Sequence, residues 1–388
     1  MDKLVTEVLD RIRFVLGTNS AGLHEPEFNG KELEYLRECV ETRYVSSVGK
    51  FVDEFEVKLA NYTGSRFAVA TVNGTSALHI ALMIAGVQNN DEVLIPALTF
   101  IATANAVSYC GAVPHLVDSE NQALGIDPEK LRNYLNRESK MSNGYCVNKK
   151  TGRIIKAIIP MHVFGLCSRI EELLEIAKDF NIKLIEDAAE SLGSYHGSLH
   201  TGKFGESGIF SFNGNKIITT GGGGAIITNN KRIAELAKHL TTTAKLKHKW
   251  EFEHDVIGYN YRMPNINAAL GCAQLENIEY KLGRKRILHL NYVSVFKNNS
   301  FVKVINETQN TTSNYWLNIL RLQHNYEKLD AILSETNKVG ISTRPIWKLV
   351  SENKPYTNVP KMDLSTAYEL RKSVICVPSS PQLSEGKL

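Results

Sequence analysis

The residues best suited to chemistry are an amine, Lys216, and a carboxylate, Asp187. Lys216 stands in the run 209–224, where apolar residues give way to small polar residues and then to four consecutive glycines. Asp187, twenty-nine residues upstream, ends the apolar run Ile182-Lys-Leu-Ile-Glu-Asp187, which is typical of a buried strand. The carboxyl ends of strands are the usual location of chemistry in open α/β sheets. The sequence therefore favours an active site that contains both groups.

An amine and a carboxylate in this setting suggest pyridoxal phosphate (PLP) as cofactor. An amine attacks an aldehyde only when it is neutral, and an apolar strand beside a glycine run favours the desolvation that makes it so. The PLP ring withdraws electrons only while its nitrogen is protonated, and a fixed carboxylate maintains that state. We therefore predict a Schiff base on Lys216 and a contact between Asp187 and the ring nitrogen.

The segment Val72-Asn-Gly-Thr-Ser-Ala77 follows a predicted strand and opens a predicted helix. Backbone N–H groups at a helix start bind phosphate. Gly74 lets the backbone approach an anion, and Thr75 and Ser76 add hydroxyl donors. An ordinary helix cap would explain the segment by itself, but the presence of Asp187 and Lys216 favours a phosphate site.

Phe100 lies just after the run Leu94-Ile-Pro-Ala-Leu-Thr99, at the carboxyl end of another predicted strand. Its ring could stack on the pyridine of the cofactor or pack in the core. Spacing alone favours packing in the core.

Composition sets broad limits on the class of protein. The 388 residues are 43% hydrophobic and 22% charged, which is ordinary globular usage. The net charge of +4 is compatible with anionic small molecules, but no clustered basic face predicts a nucleic-acid partner. The six cysteines have no metal-ligand spacing, so we expect reduced thiols and no metal site. No signal peptide or membrane-length apolar run is evident, which predicts a cytoplasmic protein without a membrane partner.

Apolar strand-like runs alternate with helical patterns along the first part of the chain. Strands are predicted at 67–71, 92–95, 112–117, 154–159 and 182–187, with helices between them, and the polar segment 137–153 is predicted to form a hairpin or loop. This alternation indicates an α/β fold with a mostly parallel central sheet. Beyond about residue 285 the pattern changes to a strand at 315–320 and a helix at 326–339. We predict an N-terminal segment and large PLP-binding domain, 1–285, and a small α+β domain, 286–388.

Taken together, the motifs resemble the DegT/DnrJ/StrS family of PLP-dependent nucleotide-sugar aminotransferases, which has the fold-type I architecture with helices on both faces of the sheet. The resemblance covers almost the whole chain. It is carried by Val48-Gly-Lys-Phe-Val-Asp-Glu-Phe-Glu56, Asn73-Gly-Thr-Ser-Ala-Leu78, Ile95-Pro-Ala-Leu-Thr-Phe100, Glu186-Asp-Ala-Ala-Glu190, Ser211-Phe-Asn-Gly-Asn-Lys216, Gly258-Tyr-Asn-Tyr-Arg-Met263 and Val377-Pro-Ser-Ser380.

The resemblance assigns roles to individual residues. It implies that Lys216 carries the cofactor, that Asp187 contacts the ring nitrogen and that Phe100 stacks on the ring. The phosphate would be held by Thr75, Ser76 and Ser211. Asn260 matches a family asparagine that reaches the phosphate of the neighbouring subunit's cofactor, which implies a homodimer with shared active sites.

Three positions near the expected cofactor depart from the commoner family pattern. Glu190 stands where many members carry glutamine near the phenolic oxygen of the cofactor, and a second acid there could change protonation at the amine. Asn213 replaces a frequent histidine. The glycines 221–224 replace a sequence that often includes glutamate. These departures indicate a subgroup.

The resemblance also implies a ping-pong transamination, with Lys216 moving protons in both half-reactions. Glutamate would donate an amino group to C4 of a 4-keto-6-deoxy nucleotide sugar. We expect UDP-4-keto-6-deoxy-N-acetylglucosamine, because the N-terminal segments 24–30 and 39–49 resemble the branch associated with legionaminic acid and bacillosamine-type sugars. A 3-keto sugar, or a GDP- or dTDP-linked sugar, is the alternative. Relatives that perform dehydration carry histidine in place of the lysine, which favours amino transfer here.

Three further polar residues are candidates for substrate binding. His162 follows a predicted strand and could face the cofactor pocket or be a structural histidine. Arg344 and Trp347 could bind the diphosphate or the sugar ring, or belong to a surface turn.

Two other classes of protein are alternatives. A dinucleotide-dependent oxidoreductase requires a Gly-x-Gly-x-x-Gly motif after its first strand, and the glycines here follow Lys216 instead. A non-enzymatic PLP-binding regulator remains an alternative, although no DNA-binding appendage supports it.

Overall fold

The computed structural model describes residues 2–385. Twelve α-helices lie in this part of the chain: α1 Lys3–Leu16, α2 Glu32–Glu41, α3 Lys50–Thr63, α4 Gly74–Ile84, α5 Ile101–Tyr109, α6 Pro128–Glu138, α7 Ile170–Asp179, α8 Lys231–Thr241, α9 Asn265–Glu276, α10 Ile278–Phe296, α11 Leu329–Lys338 and α12 Ser365–Ser373.

The strands of the same range number sixteen: β1 Phe67–Thr71, β2 Glu92–Pro96, β3 Val113–Val117, β4 Ser139–Ser142, β5 Tyr145–Asn148, β6 Ile155–Ile158, β7 Lys183–Asp187, β8 Tyr195–His196, β9 Leu199–His200, β10 Ser207–Ser211, β11 Gly224–Thr228, β12 Val302–Val304, β13 Thr311–Thr312, β14 Asn318–Leu322, β15 Arg344–Pro345 and β16 Val374–Val377. The antiparallel pair β4–β5 is the hairpin predicted for 137–153.

Seven strands form the central sheet in the order β1-β11-β10-β7-β6-β2-β3. Only β11 runs antiparallel to its neighbours, β1 and β10, and the other pairs are parallel. The prediction of a mostly parallel sheet is therefore confirmed. Parallel strands must be covered on both faces, which explains why their sequences are almost continuously apolar.

Apolar side chains on β2 show how the sheet is covered on its two faces. Val93 and Ile95 belong to one buried cluster, whereas Leu94 belongs to another. Because successive side chains of a strand point to opposite faces, the two clusters lie on opposite sides of the sheet. Residues of α4 and α5 belong to the first cluster and residues of α6 and α7 to the second, so the prediction of helices on both faces is confirmed.

The topology brings several strand ends to one edge of the sheet. Asp187 at the end of β7 is paired in register with Ile209 of β10, two residues before that strand ends. Asp187 also forms a bridge with Met161, just beyond β6. Helix α4 follows β1 and helix α5 follows β2, so both helices begin at this same edge.

A second, antiparallel sheet has the order β12-β14-β16-β15 and is built from residues beyond 300. Helix α1 packs near it: Val8 and Ile12 share a buried cluster with Leu288, Tyr292 and other residues from beyond residue 285. The sequence-based division at residue 285 places α1 in the first part of the chain, although its buried side chains pack on elements of the second part. The reason is that the apolar stripe of α1, at i, i+3 and i+4 spacing, needs an apolar partner, which α10 and the small sheet provide.

Candidate active site

A cavity of about 350 Å³ lies at the carboxyl edge of the central sheet. Most of the site residues predicted from the sequence line it. Its walls are Asn73, Gly74, Thr75, Leu78, Phe100, Ala102, Met161, Asp187, Ala189, Glu190, Ser211, Asn213, Asn215, Lys216, Trp316 and Trp347.

Asp187 is a buried carboxylate at the end of β7, only 3% exposed. One carboxylate oxygen accepts a hydrogen bond from the Thr103 hydroxyl at 2.8 Å, and the other accepts from the Ala189 N–H at 3.2 Å. Burial raises the pKa of Asp187 above its ordinary value, although these hydrogen bonds and the nearby Lys216 oppose the shift. A cation placed against this carboxylate would offset the desolvation.

Lys216 lies in the loop between β10 and β11, and its side chain is largely buried. Its Nζ is 3.1 Å from the Glu190 Oε1 and 3.9 Å from the centre of a Trp316 ring. The amine therefore projects between an acid and an aromatic face inside the cavity. The indole N–H of Trp316 donates to the Asn215 carbonyl at 2.6 Å, which fixes the aromatic wall to the same loop.

Glu190 contacts the Lys216 amine through one oxygen of its carboxylate. Its Oε2 accepts a hydrogen bond from the Phe164 N–H at 2.9 Å, which leaves Oε1 for Lys216. Burial is the largest cause of a rise in the pKa of Glu190 to about 7, although the Lys216 charge opposes it. This carboxyl can therefore exchange a proton near neutral pH.

The start of helix α4 forms a cradle for an anion. Asn73 caps the helix by accepting from the Ser76 N–H at 2.8 Å. A Cβ added at Gly74 would lie 3.1 Å from the Cβ of Ser211, so glycine permits the close approach of this turn to the end of β10. Thr75 and Ser211 place hydroxyls in the cavity wall. Helix N-termini with neighbouring hydroxyls bind phosphate.

Of the predicted phosphate residues at the start of α4, Ser76 lies differently from the expectation. It is buried and does not line the cavity, because its position in the first turn of α4 points it away from Thr75. Asn213 lines the cavity and donates to the Asn215 side chain at 3.0 Å.

Phe100 lies in the cavity wall rather than in the packed core, and 51% of it is exposed. Its ring centre is 6.3 Å from that of Trp347, at a tilt of 59°. Trp347 in turn packs on Phe164, with ring centres 4.7 Å apart. Phe100 and Trp347 thus give one side of the cavity an aromatic, apolar wall.

The residues of the cavity fit PLP. The cofactor requires an amine for its aldehyde, a carboxylate for its ring nitrogen, an anion cradle for its phosphate and a flat surface for its ring. Lys216, Asp187, the Gly74 turn and Phe100 supply these four features around one cavity. The buried carboxylate of Asp187 is the feature that most favours a cationic ring as the ligand.

His162 does not line this cavity, so the structure corrects its assignment as a substrate-binding residue. It is fully buried, its Nδ1 accepts from the Ser168 N–H at 3.1 Å, and its Nε2 lies 3.1 Å from the Glu186 carboxylate. With both ring nitrogens engaged, the imidazole has no free group for a ligand. His162 is therefore a structural histidine, the alternative interpretation of its position in the sequence.

A second cavity, of about 620 Å³, shares Asn215, Trp316 and Trp347 with the first. Arg344 lines only this second cavity, where its guanidinium donates to Asn337 and to the Thr343 carbonyl, both at 2.8 Å. Trp347 lines both cavities and separates them. Of the two predicted substrate residues, Trp347 thus lines the first cavity, whereas Arg344 lies in the adjacent one.

Asn260 lies outside both cavities and is exposed. Its side-chain oxygen accepts from the Arg262 guanidinium at 3.1 and 3.2 Å. A role for Asn260 at a cofactor thus requires a second subunit.

Sequence reasoning missed two residues that shape the site. Thr103, which bonds Asp187, lies three residues after Phe100 at the start of α5, and this helical spacing was a usable signal. Trp316, which covers Lys216, falls in a run interpreted as a strand.

Within residues 2–385, no group of three or more His, Cys, Asp or Glu side chains could hold a metal ion, and no helix combines the length and apolarity needed to cross a bilayer.

Comparison with known proteins relates this geometry to named enzymes. The chain is 36% identical over 368 residues to GDP-perosamine synthase of Escherichia coli O157:H7, covering 94% of this chain and 95% of that protein. It is 30% identical over 339 residues to UDP-4-amino-4,6-dideoxy-N-acetyl-beta-L-altrosamine transaminase of Campylobacter jejuni, covering 87% and 86% of the two chains.

The fold is also found in solved structures. A DegT DnrJ EryC1 StrS aminotransferase from Brucella abortus superposes with a TM-score of 0.82 at 28% identity, over 92% of this chain and 91% of that one. The profile of the DegT/DnrJ/EryC1/StrS aminotransferase family matches residues 26–388. Aminotransferases of this family depend on pyridoxal phosphate. The cavity with Lys216 and Asp187 is therefore found in a chain that belongs to the DegT/DnrJ/EryC1/StrS aminotransferase family of nucleotide-sugar aminotransferases.

Proposed function

We propose that the protein transfers an amino group from glutamate to the C4 keto group of a 4-keto-6-deoxy nucleotide sugar, with UDP-4-keto-6-deoxy-N-acetylglucosamine as its substrate. The observation that carries this proposal is the placement of the Lys216 amine, between Glu190 and Trp316, in one cavity with the buried carboxylate of Asp187. Membership of a nucleotide-sugar aminotransferase family supports it.

Bound PLP supplies an electron sink for the carbon that gains or loses the amino group. In our proposal Asp187 keeps the ring nitrogen protonated, Phe100 lies against the ring, and the α4 turn with Thr75 and Ser211 holds the phosphate. Ser76 contributes to that turn through its backbone N–H, which bonds the Asn73 cap. The side chains of Asn213 and Glu190 border the ring.

The proton transfers are assigned to Lys216 and Glu190. The Lys216 Nζ, when free of the cofactor, is the natural base and acid for the reacting carbon, because it is the amine that lines the cavity. Glu190 lies 3.1 Å from that nitrogen and has a pKa raised to about 7. It can therefore hold or return the ammonium proton without leaving the site.

The base of the nucleotide separates two candidate substrates. Resemblance of segments 24–30 and 39–49 to the bacillosamine-type branch favours the UDP-linked sugar, as does the 30% identical transaminase whose name specifies a UDP-linked sugar. The 36% identical GDP-perosamine synthase favours a GDP-linked sugar as the second candidate. Arg344 and Trp347, beside the first cavity, are proposed to contact the diphosphate and the sugar ring.

Substrate choice can be tested by incubating the purified enzyme with glutamate and a panel of 4-keto and 3-keto sugars linked to UDP, GDP or dTDP. We expect amination at C4 of the UDP-linked N-acetyl sugar, identified by mass spectrometry and NMR of the product. A higher kcat/KM for the GDP-linked sugar would assign the second candidate. Absence of an aminated product with every sugar would contradict the enzymatic proposal and favour a PLP-binding regulator.

We also propose a homodimer in which Asn260 reaches the cofactor phosphate of the partner subunit. Asn260 is exposed and outside its own cavity, and the nearby side chains of Trp250, Phe252 and Ile257 are 70%, 76% and 82% exposed. Large apolar side chains grouped on a surface are typical of protein interfaces.

Mixed dimers provide the test of shared sites. Asn260→Ala and Lys216→Ala homodimers should each have low activity, whereas a dimer with one subunit of each kind contains one intact site. Recovery of activity on subunit exchange is the expected result. If Asn260 acts only within its own subunit, the mixture will recover nothing.

A further inference from the structure

His24 is a buried histidine in the segment between α1 and α2, and the roles assigned above do not use it. It is 9% exposed and lines the second cavity. Its ring centre lies 6.5 Å from that of Trp316, and the Lys216 amine lies 3.9 Å from a ring centre of the same indole. His24 and the reacting amine are therefore both neighbours of Trp316.

Neither ring nitrogen of His24 has a hydrogen-bond partner among residues 2–385. The Asn215 backbone lies near the imidazole, but its carbonyl accepts the Trp316 indole N–H at 2.6 Å and makes no hydrogen bond of good geometry with His24. Buried polar groups are nearly always satisfied, and an unsatisfied one costs free energy. An imidazole left without a partner at a cavity wall thus indicates that a ligand or solvent completes it.

The position of His24 is fixed by its neighbours rather than by its own side chain. The Leu23 carbonyl accepts from the Ser379 N–H at 2.8 Å, and the Glu25 N–H donates to the Ser380 hydroxyl at 2.8 Å. The segment is thus tied to the small domain on both sides of the histidine. Such support is what a binding residue requires, because the side chain is placed before the ligand arrives.

The charges around His24 define the kind of group it can bind. Burial, followed by the charges of Lys285 and Lys281, lowers the pKa of His24 well below its ordinary value, so the ring is neutral at neutral pH. A neutral imidazole donates one hydrogen bond and accepts one. A hydroxyl or an amide group matches both functions, whereas a phosphate offers only acceptors.

The rest of the second cavity has a different character. Arg344, Lys348 and Arg371 line it, and its described walls contain no Asp or Glu. These cations match the charge of a diphosphate. The cavity therefore has a cationic portion for phosphates and, at His24, a neutral hydrogen-bonding point beside the wall that it shares with the first cavity.

We propose that His24 binds a hydroxyl or amide group on the sugar portion of the substrate and is a specificity-determining residue for that sugar. This inference rests on the proposed nucleotide-sugar substrate. It places the sugar at the junction of the two cavities, with its reacting carbon toward Lys216 and its diphosphate toward Arg344.

The test compares the binding of nucleotide sugars with that of nucleotides that lack the sugar. Isothermal titration of the PLP-loaded enzyme would use UDP-N-acetylglucosamine against UDP, and GDP-mannose against GDP. The substitution His24→Phe keeps a ring but removes both nitrogens. It should weaken binding of the preferred nucleotide sugar about tenfold, the scale of a lost hydrogen bond to a buried group, and leave the Kd of the nucleoside diphosphate unchanged.

Two further variants separate recognition from folding. His24→Gln retains one donor and one acceptor and should recover part of the affinity. Glu25→Gln changes an exposed neighbour in the same segment and should match the wild type. The half-reaction with glutamate, followed by the absorbance of the cofactor, should proceed at the wild-type rate in the His24→Phe variant, because glutamate carries no sugar.

The outcomes distinguish this inference from the proposed function. If the wild type binds nucleotide sugars and His24→Phe binds them equally well, the role of His24 is wrong. Equal weakening for sugar-linked and sugar-free nucleotides also overturns it, because the contact would then be to the phosphates or to the fold. If the wild type neither aminates a nucleotide sugar in the panel nor binds one in these titrations, the proposed substrate class is wrong, whatever the His24 variants do.

Discussion

Glu186 and Asp187 are adjacent carboxylates on β7, and their surroundings differ in one decisive respect. Glu186 is saturated: its two oxygens face four donors within 3.1 Å, which are His162, Gly202, Phe204 and Gly205. Asp187, on the opposite face of the strand, has one hydroxyl and one longer backbone contact, and it lines a cavity. Both are almost fully buried.

The comparison shows that burial alone does not identify a functional acid. A carboxylate whose acceptor sites are filled by three backbone N–H groups and an imidazole holds the loop 202–205 in place and has nothing left to bind. A carboxylate with fewer donors keeps a free acceptor direction for a ligand. Alternation along a strand explains how neighbours in sequence acquire these separate roles.

The largest effect is expected from Asp187→Asn. An uncharged amide cannot hold a protonated ring nitrogen, so kcat should fall by about 100-fold or more, the scale of a lost electrostatic contact in an active site. The Tm of the cofactor-free protein should change little, because the amide oxygen can still accept from Thr103, only the longer Ala189 contact is lost, and a buried charge is removed. Steady-state kinetics and thermal unfolding measure the two effects, and wild-type activity in this variant would remove Asp187 from the proposed role.

The matched substitution Glu186→Gln should act on stability instead. An amide nitrogen would replace one oxygen that accepts two hydrogen bonds, and buried donors would then face a donor. We expect the free energy of unfolding to fall by about 3 kcal/mol, as for a buried network that loses an acceptor. Denaturant unfolding gives the measurement. A folded, fully stable Glu186→Gln variant with impaired turnover would reverse the contrast between the two acids.

Glu190 is a third buried carboxylate, and its titration should change the stability of the protein with pH. Its pKa is raised from 4.5 to about 7, so its contribution to stability is fully present below pH 4.5 and is lost as the pH rises through about 7. In Glu190→Gln this group no longer titrates. Thermal unfolding of wild type and variant without cofactor should show a flatter profile for the variant in that interval, and parallel profiles would show that the acid does not titrate there.

The smallest effect on substrate binding is expected from His162→Gln. Because His162 contacts Glu186 and Ser168 but no cavity, the variant should lose about 1 kcal/mol of stability and keep the wild-type KM for glutamate and for the nucleotide sugar. A KM that rises with unchanged stability would return His162 to the substrate site.

Much of the fold follows from local sequence. The apolar runs predict the bounds of β1 and β7 to within one residue. Asp127 followed by Pro128 is a local helix-start signal, and in the structure the Asp127 side chain caps α6. These features depend on burial and on backbone chemistry that a short segment contains in itself.

Other features depend on contacts that no local pattern contains. The predicted strand at 315–320 begins instead at Asn318, because Tyr315 has φ of 44° and its ring stacks on His289. The amphipathic pattern of α1 shows that it needs a partner but not which domain provides it. The same limit applies to the site: its motifs point to Lys216 and Asp187, whereas the indole over the lysine comes from a region a hundred residues away.

The central claim is that Lys216 carries the cofactor. The direct measurement is borohydride reduction of the purified PLP-loaded protein, followed by digestion and mass spectrometry of the peptides. We predict a phosphopyridoxyl group on the peptide that contains Lys216, with its fragment ions locating the group at that residue. A phosphopyridoxyl group on a different lysine, with Lys216 unmodified, would contradict the account.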